Sequence, residues 1–239
     1  FSAAEVLVDE NNKVYGVATG DMGVSRDGSA KDSWESGMEL HAKYTLFSEG
    51  ARGSLSKFLI DNYGLSEDKD YQKYAIGIKE LWEVKEENHQ EGLVEHSMGW
   101  PLSEGTGGGS FLYHFGQNLV SVGYVVHLNY TNPYVSPFDE FQQFKTHSSI
   151  KKVLKGGKRI SYGARAITTG GYQSVPKLFF PGGALIGCSA GFVNYPKIKG
   201  THNAMESGML AAESIVENFS SGDHANDLSN YQEKYEKGR

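Results

Sequence analysis

Between Tyr74 and Leu128 the chain sets four β-rich runs one after another, YAIGIKELWEV, GLVEHSMGW, SFLYHF and NLVSVGYVVHL, with turn residues between them. Runs this closely spaced predict an antiparallel sheet. The flanking segments have a different grammar. Ala3 to Val8 and Lys13 to Thr19 are two short β-rich runs joined by DENN, the turn chemistry of a hairpin, and a polar loop, SRDGSAKDSWESG, follows. MELHAKYTLFSEGARGSLSKFLIDNYGL then runs from a β-rich segment through Glu49, Gly50 and Gly53 into a predicted helix from Ser54 to Tyr63.

Beyond the four runs, SPFDEFQQFKTH spaces Phe138, Phe141 and Phe144 three apart behind Ser136 as cap and Pro137 as first residue. This predicts a short amphipathic helix with its aromatics in the core. The final third reads as a strand (KRISYGARAI), a glycine-rich connection, a buried strand (ALIGC), a helix from about Thr201 to Asn218, and a charged surface helix (LSNYQEKYEKGR). No internal repeat interrupts this order.

A chain of 239 residues can bury a sizeable core, as one large domain or two small ones. Its 30 glycines exceed the average of roughly 7%, which points to tight turns and close backbone approaches. A net charge of -6 argues against nucleic acid as a partner. The longest apolar runs fall short of the ~20 residues of a spanning helix, leaving only peripheral membrane contact. Cys188 is the sole cysteine, so no disulfide or cysteine-ligated cluster can form within the chain, and a reducing compartment is expected. The sequons at Asn129 and Asn218 carry little weight without evidence of secretion. The start carries no signal or transit pattern; Phe1 opens directly into strand, turn and strand, as if in mid-fold. The eight histidines show no metal-ligand spacing and are expected at the surface or as satisfied core residues. No Ser/His/Asp or paired-carboxylate arrangement stands out. No catalytic and no metal-binding residue is therefore assigned.

Two glycine turns lead from strand to helix: FSEGARGSLSK, and the larger GCSAGFVNYPKIKGTHNAM. Backbone N–H groups at a helix start can bind an oxyanion or a polarised carbonyl, because the helix dipole places partial positive charge there. In the second turn, Thr201 as N-cap would put Ala204, Gly208, Ala211 and Ala212 along one side. Spacing alone leaves two uses for that side, a seat for a planar cofactor and plain helix-on-sheet packing.

The motifs GMELHAKYTLFSEGARGSLSK, YAIGIKELWEV, GWPL, GGSFLYH, NPYVSPFDEFQQFK, GGKRISYGARAI, GGYQSVPKLFFPGG and GCSAGFVNYPKIKGTHNAMESGMLAAES, in this order from about Glu39 to Ile215, closely resemble the electron transfer flavoprotein-ubiquinone oxidoreductase family. The resemblance implies an α+β / α/β fold, part of a glutathione-reductase-like FAD-binding domain with an inserted antiparallel-sheet ubiquinone-binding domain. The implied division is 1–73 and 158–239 for the FAD-binding domain and 74–157 for the quinone domain. It implies electron transfer from reduced electron transfer flavoprotein through FAD and a [4Fe-4S] cluster to ubiquinone. The expected place is the matrix face of the mitochondrial inner membrane or the bacterial cytoplasmic membrane. Related flavin monooxygenases and prenyl reductases, and a non-catalytic fragment, are the competing readings. By resemblance the chain is a central fragment, without the N-terminal G-x-G-x-x-G turn for the FAD pyrophosphate and without the cysteines that hold the cluster.

Carried onto this sequence, the resemblance gives Gly187, Cys188, Ser189, Gly191, Phe192, Asn194, Pro196, Gly200 and Thr201 to the flavin side of the FAD site. There a positive helix end would stabilise charge on the reduced ring. Asn194 either tunes the ring by a hydrogen bond or only holds its loop. Cys188 fits a buried structural thiol better than a redox one, and Ala190 replaces a family proline. Gly50, Arg52 and Gly53 resemble a second FAD contact, Arg52 reaching either cofactor phosphate or a surface carboxylate. Gly107, Gly108, Gly109, Ser110 and Phe111 resemble the quinone headgroup site, where a backbone N–H can meet a quinone carbonyl; the alternative is a flexible hairpin loop. Gly107 stands where the family commonly has an aromatic residue. Trp100 and Pro101 are expected in the same pocket or in core.

Overall fold

In the computed structural model, residues 1–222 and 227–238 are described. The chain begins with the expected hairpin, β1 (Ala3–Val8) antiparallel to β2 (Val14–Thr19). Asp9 closes the turn by accepting the N–H of Asn11 and Lys13, and Asn12 takes the left-handed conformation its short amide tolerates (φ 58°). The polar segment that follows is not a loop. It forms a second hairpin, β3 (Met22–Val24) with β4 (Ala30–Glu35), whose tip is tied by Asp27 to the N–H and hydroxyl of Ser29. A fully exposed strand such as β4 has no apolar alternation to reveal it.

Next come β5 (Glu39–His41), added to β2, β6 (Thr45–Phe47), and helix α1 (Ser54–Asn62). The four β-rich runs form β7 (Tyr74–Glu83), β8 (Val94–Met98), β9 (Gly108–Phe115) and β10 (Leu119–His127). Helix α2 (Pro137–Phe144) begins as expected, with Ser136 Oγ accepting the Asp139 N–H. Phe141 and Phe144 are buried, whereas Phe138 faces solvent, because three-residue spacing drifts off the face of a 3.6-residue helix. A second helix, α3 (Ser148–Leu154), escaped the sequence reading: at seven residues its apolar face, Ile150, Val153 and Leu154, is too short a period to stand out. Strand β11 (Lys158–Thr168) pairs along β7, so the sheet order is β11-β7-β10-β9-β8, antiparallel throughout.

The chain then returns through β12 (Phe179–Phe180) and β13 (Gly183–Leu185), helix α4 (Thr201–Ser220) and helix α5 (Ser229–Lys237). Strand β13 lies parallel to β6, with Gly183, Ala184 and Leu185 opposite Thr45, Leu46 and Phe47. Helix α5 is not a surface helix only: Tyr231 is fully buried and its hydroxyl donates to the Leu185 carbonyl.

Two compact units result, Lys73–Thr169, and Phe1–Gln72 together with Gly170–Arg239. Strand β11, which the sequence reading gave to the closing segment, belongs to the former, because its whole length is hydrogen-bonded to β7. The contiguous unit has a core of Leu112, Val120, Val122, Tyr124, Phe141 and Phe144 between its sheet and helices α2 and α3. The discontinuous unit has a separate core, including Val14, Phe47, Leu59, Leu178, Leu185 and Tyr231.

Candidate functional site

In the discontinuous unit, the parallel register of β6 and β13 decides the geometry. Phe47 lies opposite Leu185 and accepts the Ile186 N–H, so the two strands end side by side. The turn after β6, with Gly50, Arg52 and Gly53, and the turn after β13, starting at Gly187, therefore leave from the same end of a parallel pair. The carboxyl ends of parallel strands are where α/β folds take ligands.

The two helix starts differ. At α1 the position is filled: Glu49 accepts the N–H of Leu55 (3.3 Å) and of Ser56 (2.6 Å) and the Ser56 hydroxyl (2.7 Å). The chain supplies its own anion there, which corrects the view of α1 as a free oxyanion site. Gly53 is the N-cap of α1, Gly50 sits at φ 86°, and Arg52 is exposed. At α4 no acidic side chain lies in the first turn and no side chain caps it. The N-cap is Gly200, so Thr201 is the first helical residue and not the cap.

The loop before α4 is held from the helix. Ser207 Oγ accepts the Gly187 N–H (2.9 Å), and Asn203 Nδ2 donates to the Phe192 carbonyl (2.9 Å). Neither residue was read from the sequence; their i, i+4 spacing on a small-residue helix was the available signal. Asn194 pairs with Lys199 across a tight turn containing Pro196, and its side-chain oxygen accepts the Lys197 N–H. That turn uses the amide oxygen and not its nitrogen. Gly191 is left-handed (φ 81°), Phe192 is a core residue against Tyr235, and Ser189 Oγ is buried without a hydrogen-bond partner. Burial pushes the Cys188 thiol up, away from thiolate. The buried side of α4 is Ser207, Leu210, Ala211 and Ser214; Ala212 is exposed and a side chain at Gly208 would meet open space. Of the expected stripe, Ala211 lies on the packing face and Ala204 is half-buried beside Gly187, whereas Gly208 and Ala212 turn away from it.

In the contiguous unit, Gly107 precedes β9 and Gly108 to Phe111 lie in it. Because side chains alternate across a strand, Gly108 and Ser110 belong to the face packed on α2, while Gly109 and Phe111 belong to the other. From Gly109 onward β9 is paired on both sides, so its backbone groups there are committed to the sheet. Each glycine is also demanded by a neighbour. A Cβ would meet His127 Nδ1 at 2.6 Å from Gly107, the Val125 carbonyl from Gly108, and the Ser97 carbonyl at 2.5 Å from Gly109. The face that carries Phe111 holds a small aromatic group missed in the sequence: Phe111 stacks on Tyr113 (4.8 Å between centroids), whose hydroxyl bonds His96 at 3.0 Å.

Comparison with known proteins decides the lineage. The chain is 53% identical over 237 residues to electron transfer flavoprotein-ubiquinone oxidoreductase of Pseudomonas aeruginosa, covering 98% of this chain and 43% of that protein. It is 58% identical to the mitochondrial protein of Caenorhabditis elegans (92% of this chain, 37% of that one) and 56% to the human one (92% and 36%). The chain belongs to the electron transfer flavoprotein-ubiquinone oxidoreductase family. A family model described as ETF-QO, ubiquinone-binding, matches residues 74–167, close to the contiguous unit. The chain spans about two fifths of the length of these oxidoreductases. Among solved structures it shares the fold of a geranylgeranyl bacteriochlorophyll reductase-like protein of Thermoplasma acidophilum (TM-score 0.70, 20% identity, 98% of this chain and 52% of that one). A flavin-dependent brominase is similar at TM-score 0.63 and 15% identity (97% and 53%). Both likenesses agree with the mixed α and β fold expected from the sequence.

Proposed function

We propose that this chain is the part of an electron transfer flavoprotein-ubiquinone oxidoreductase that seats the ring end of FAD and the headgroup of ubiquinone. The whole protein passes electrons from reduced electron transfer flavoprotein to membrane ubiquinone. The observation that carries the reading is identity of 58% and 53% to two such oxidoreductases over 92% and 98% of the chain. The reductase-like neighbour, at 20% identity, supports the fold alone.

The residues after β13 fit a flavin in two respects, the uncapped start of α4 and the orphaned hydroxyl of Ser189. FAD, when bound, supplies the reversible redox chemistry that protein side chains lack. The chain's own contribution is to hold the loop rigid through Ser207 and Asn203 and to offer the first N–H groups of α4 to an electron-rich edge. Gly187, Cys188, Gly191, Phe192, Asn194, Pro196, Gly200 and Thr201 shape that loop, with Gly50, Arg52 and Gly53 at the neighbouring turn. For ubiquinone we assign the start of β9, Gly107 to Phe111, extended by Tyr113 and His96 on the Phe111 face. A [4Fe-4S] cluster takes four thiolates, which the single Cys188 cannot supply. Among the described residues no helix is long and apolar enough to cross a membrane, and we place the whole protein peripherally on the mitochondrial inner membrane or the bacterial cytoplasmic membrane.

The test is made on the full-length protein. Reduced electron transfer flavoprotein should drive ubiquinone reduction, and Asn194→Ala should shift the flavin reduction potential. Phe111→Ala should raise the KM for ubiquinone with little change in FAD content. Rapid NAD(P)H oxidation without ubiquinone reduction would favour a reductase of the same fold instead.

A further inference from the structure

The contiguous unit contains a cavity of about 230 Å³ on the helix-facing side of the sheet, opposite the face that carries Phe111. Its floor is apolar and buried: Leu112, Phe144 and Ile150. Ser110, only 8% exposed, shares a 2.6 Å hydrogen bond with Ser97 of the edge strand β8. Two hydroxyls carry two hydrogens and four lone pairs; their mutual bond leaves one donor and three acceptor positions. Trp100, 46% exposed, and His147 form the rim, their rings 5.3 Å apart and tilted by 55°. His147 Nδ1 is bonded to Ser149 Oγ at 2.8 Å.

We propose that this cavity is a binding site for small neutral aromatic alcohols. Its volume is below the roughly 300–1,000 Å³ of pockets for drug-sized ligands, so it takes a single ring. No lysine or arginine lines it, which disfavours an anion, and its one carboxylate, Glu95, lies on the exposed strand β8. The ring of the guest covers Leu112 and Ile150 and meets Trp100 at the rim; its hydroxyl both accepts from and donates to the serine pair. Ser110 lies between Gly109 and Phe111, so occupancy adjusts β9 from behind. Ser110 and His96, which line the cavity, also belong to the stretch assigned to ubiquinone, but the two readings use opposite faces of the sheet, and the serine pair and the apolar floor serve only this one.

Titration of the full chain with phenol, followed by amide NMR, tests it. Saturable shifts confined to Ser97, Ser110, Trp100 and Ile150 are expected. Ser97→Ala should weaken phenol about tenfold and leave benzene unchanged, with the unfolding midpoint preserved. Ile150→Trp, which fills the floor, should abolish both. Equal affinity for phenol and benzene, tighter binding of benzylammonium than of phenol, or no saturable shift at these residues would each overturn the proposal.

Discussion

The contiguous and discontinuous units reach stability by opposite routes. Lys73–Thr169 is one run of chain in which every strand pairs antiparallel with another strand of that run. The other unit is stitched from two segments: β6 and β13 are separated in sequence by the whole contiguous unit, yet pair in parallel with buried Phe47 opposite buried Leu185. Local pairing makes the first readable from its sequence and quick to form. The second depends on closing a long loop before any contact rewards it.

The sharpest way to break the comparison is at Glu80, the one carboxylate buried in the contiguous sheet. It is 2% exposed and accepts from Lys145 (2.8 and 2.9 Å), Trp82 Nε1 (2.8 Å) and Arg159 (3.1 Å). Burial alone would raise its pKa, but these donors outweigh burial and hold it below the usual carboxylate value. Glu80→Leu leaves the largely buried Lys145 without its counter-charge and should destabilise this unit by about 3–5 kcal/mol. Hydrogen exchange should accelerate within Lys73–Thr169, and Glu80→Leu with Lys145→Met should recover part of the loss. If protection falls equally in both units, they do not unfold separately.

The matching break in the discontinuous unit is Gly182→Ala. Gly182 sits at φ 86°, and a Cβ there would run into the Val14 carbonyl, at the point where the Pro181 carbonyl accepts the Val14 N–H and joins the two segments. Destabilisation of about 1–3 kcal/mol is expected from the forced shift, read by denaturant unfolding. Protection should be lost along β2 and β13 and kept along β7 and β10. Tyr231→Phe probes the same seam more gently, since it removes only the bond to Leu185, and about 1 kcal/mol is expected.

This contrast also explains what was legible in the sequence. Strands β7 to β10 announced themselves because Val120, Val122, Tyr124 and Val126 alternate with partly exposed or small neighbours, and Ser136-Pro137 is a strong helix start. The hairpin β3–β4 was hidden because neither strand has a buried face. Burial of Tyr231 was hidden because α5 is otherwise polar and its partner carbonyl is 46 residues away. At the candidate sites, the residue types of the two glycine turns were visible, but their adjacency was not, because only the parallel register of β6 with β13 brings them together. Glu49 was quoted in the motif, yet its capping of α1 needs the turn to fold back over Gly53.

The smallest expected effect separates the units by pH. His114, 3% exposed in β9, accepts the Gln90 N–H at Nδ1, so its proton is on Nε2, which is buried and has no hydrogen-bond partner. Burial first, and then the neighbouring His89, depress its pKa; Glu95 opposes them weakly. His127, at the end of β10, is depressed by burial and by Lys73. A histidine whose folded pKa lies below its unfolded value of about 6.5 favours the unfolded chain once the pH drops below that value. The contribution is therefore intact above pH 6.5 and is lost as pH falls from there through the folded pKa. Glu80 acts lower: its contribution is present above the unfolded carboxylate pKa and is lost as pH falls through its depressed folded value. Between pH 7 and pH 5 the contiguous unit should thus weaken through its histidines alone, and His114→Gln should flatten that slope while leaving the acid limb set by Glu80. Unfolding midpoints measured every half pH unit, with hydrogen exchange to say which unit opens, decide it; an unchanged slope in His114→Gln would remove His114 as the titrating group.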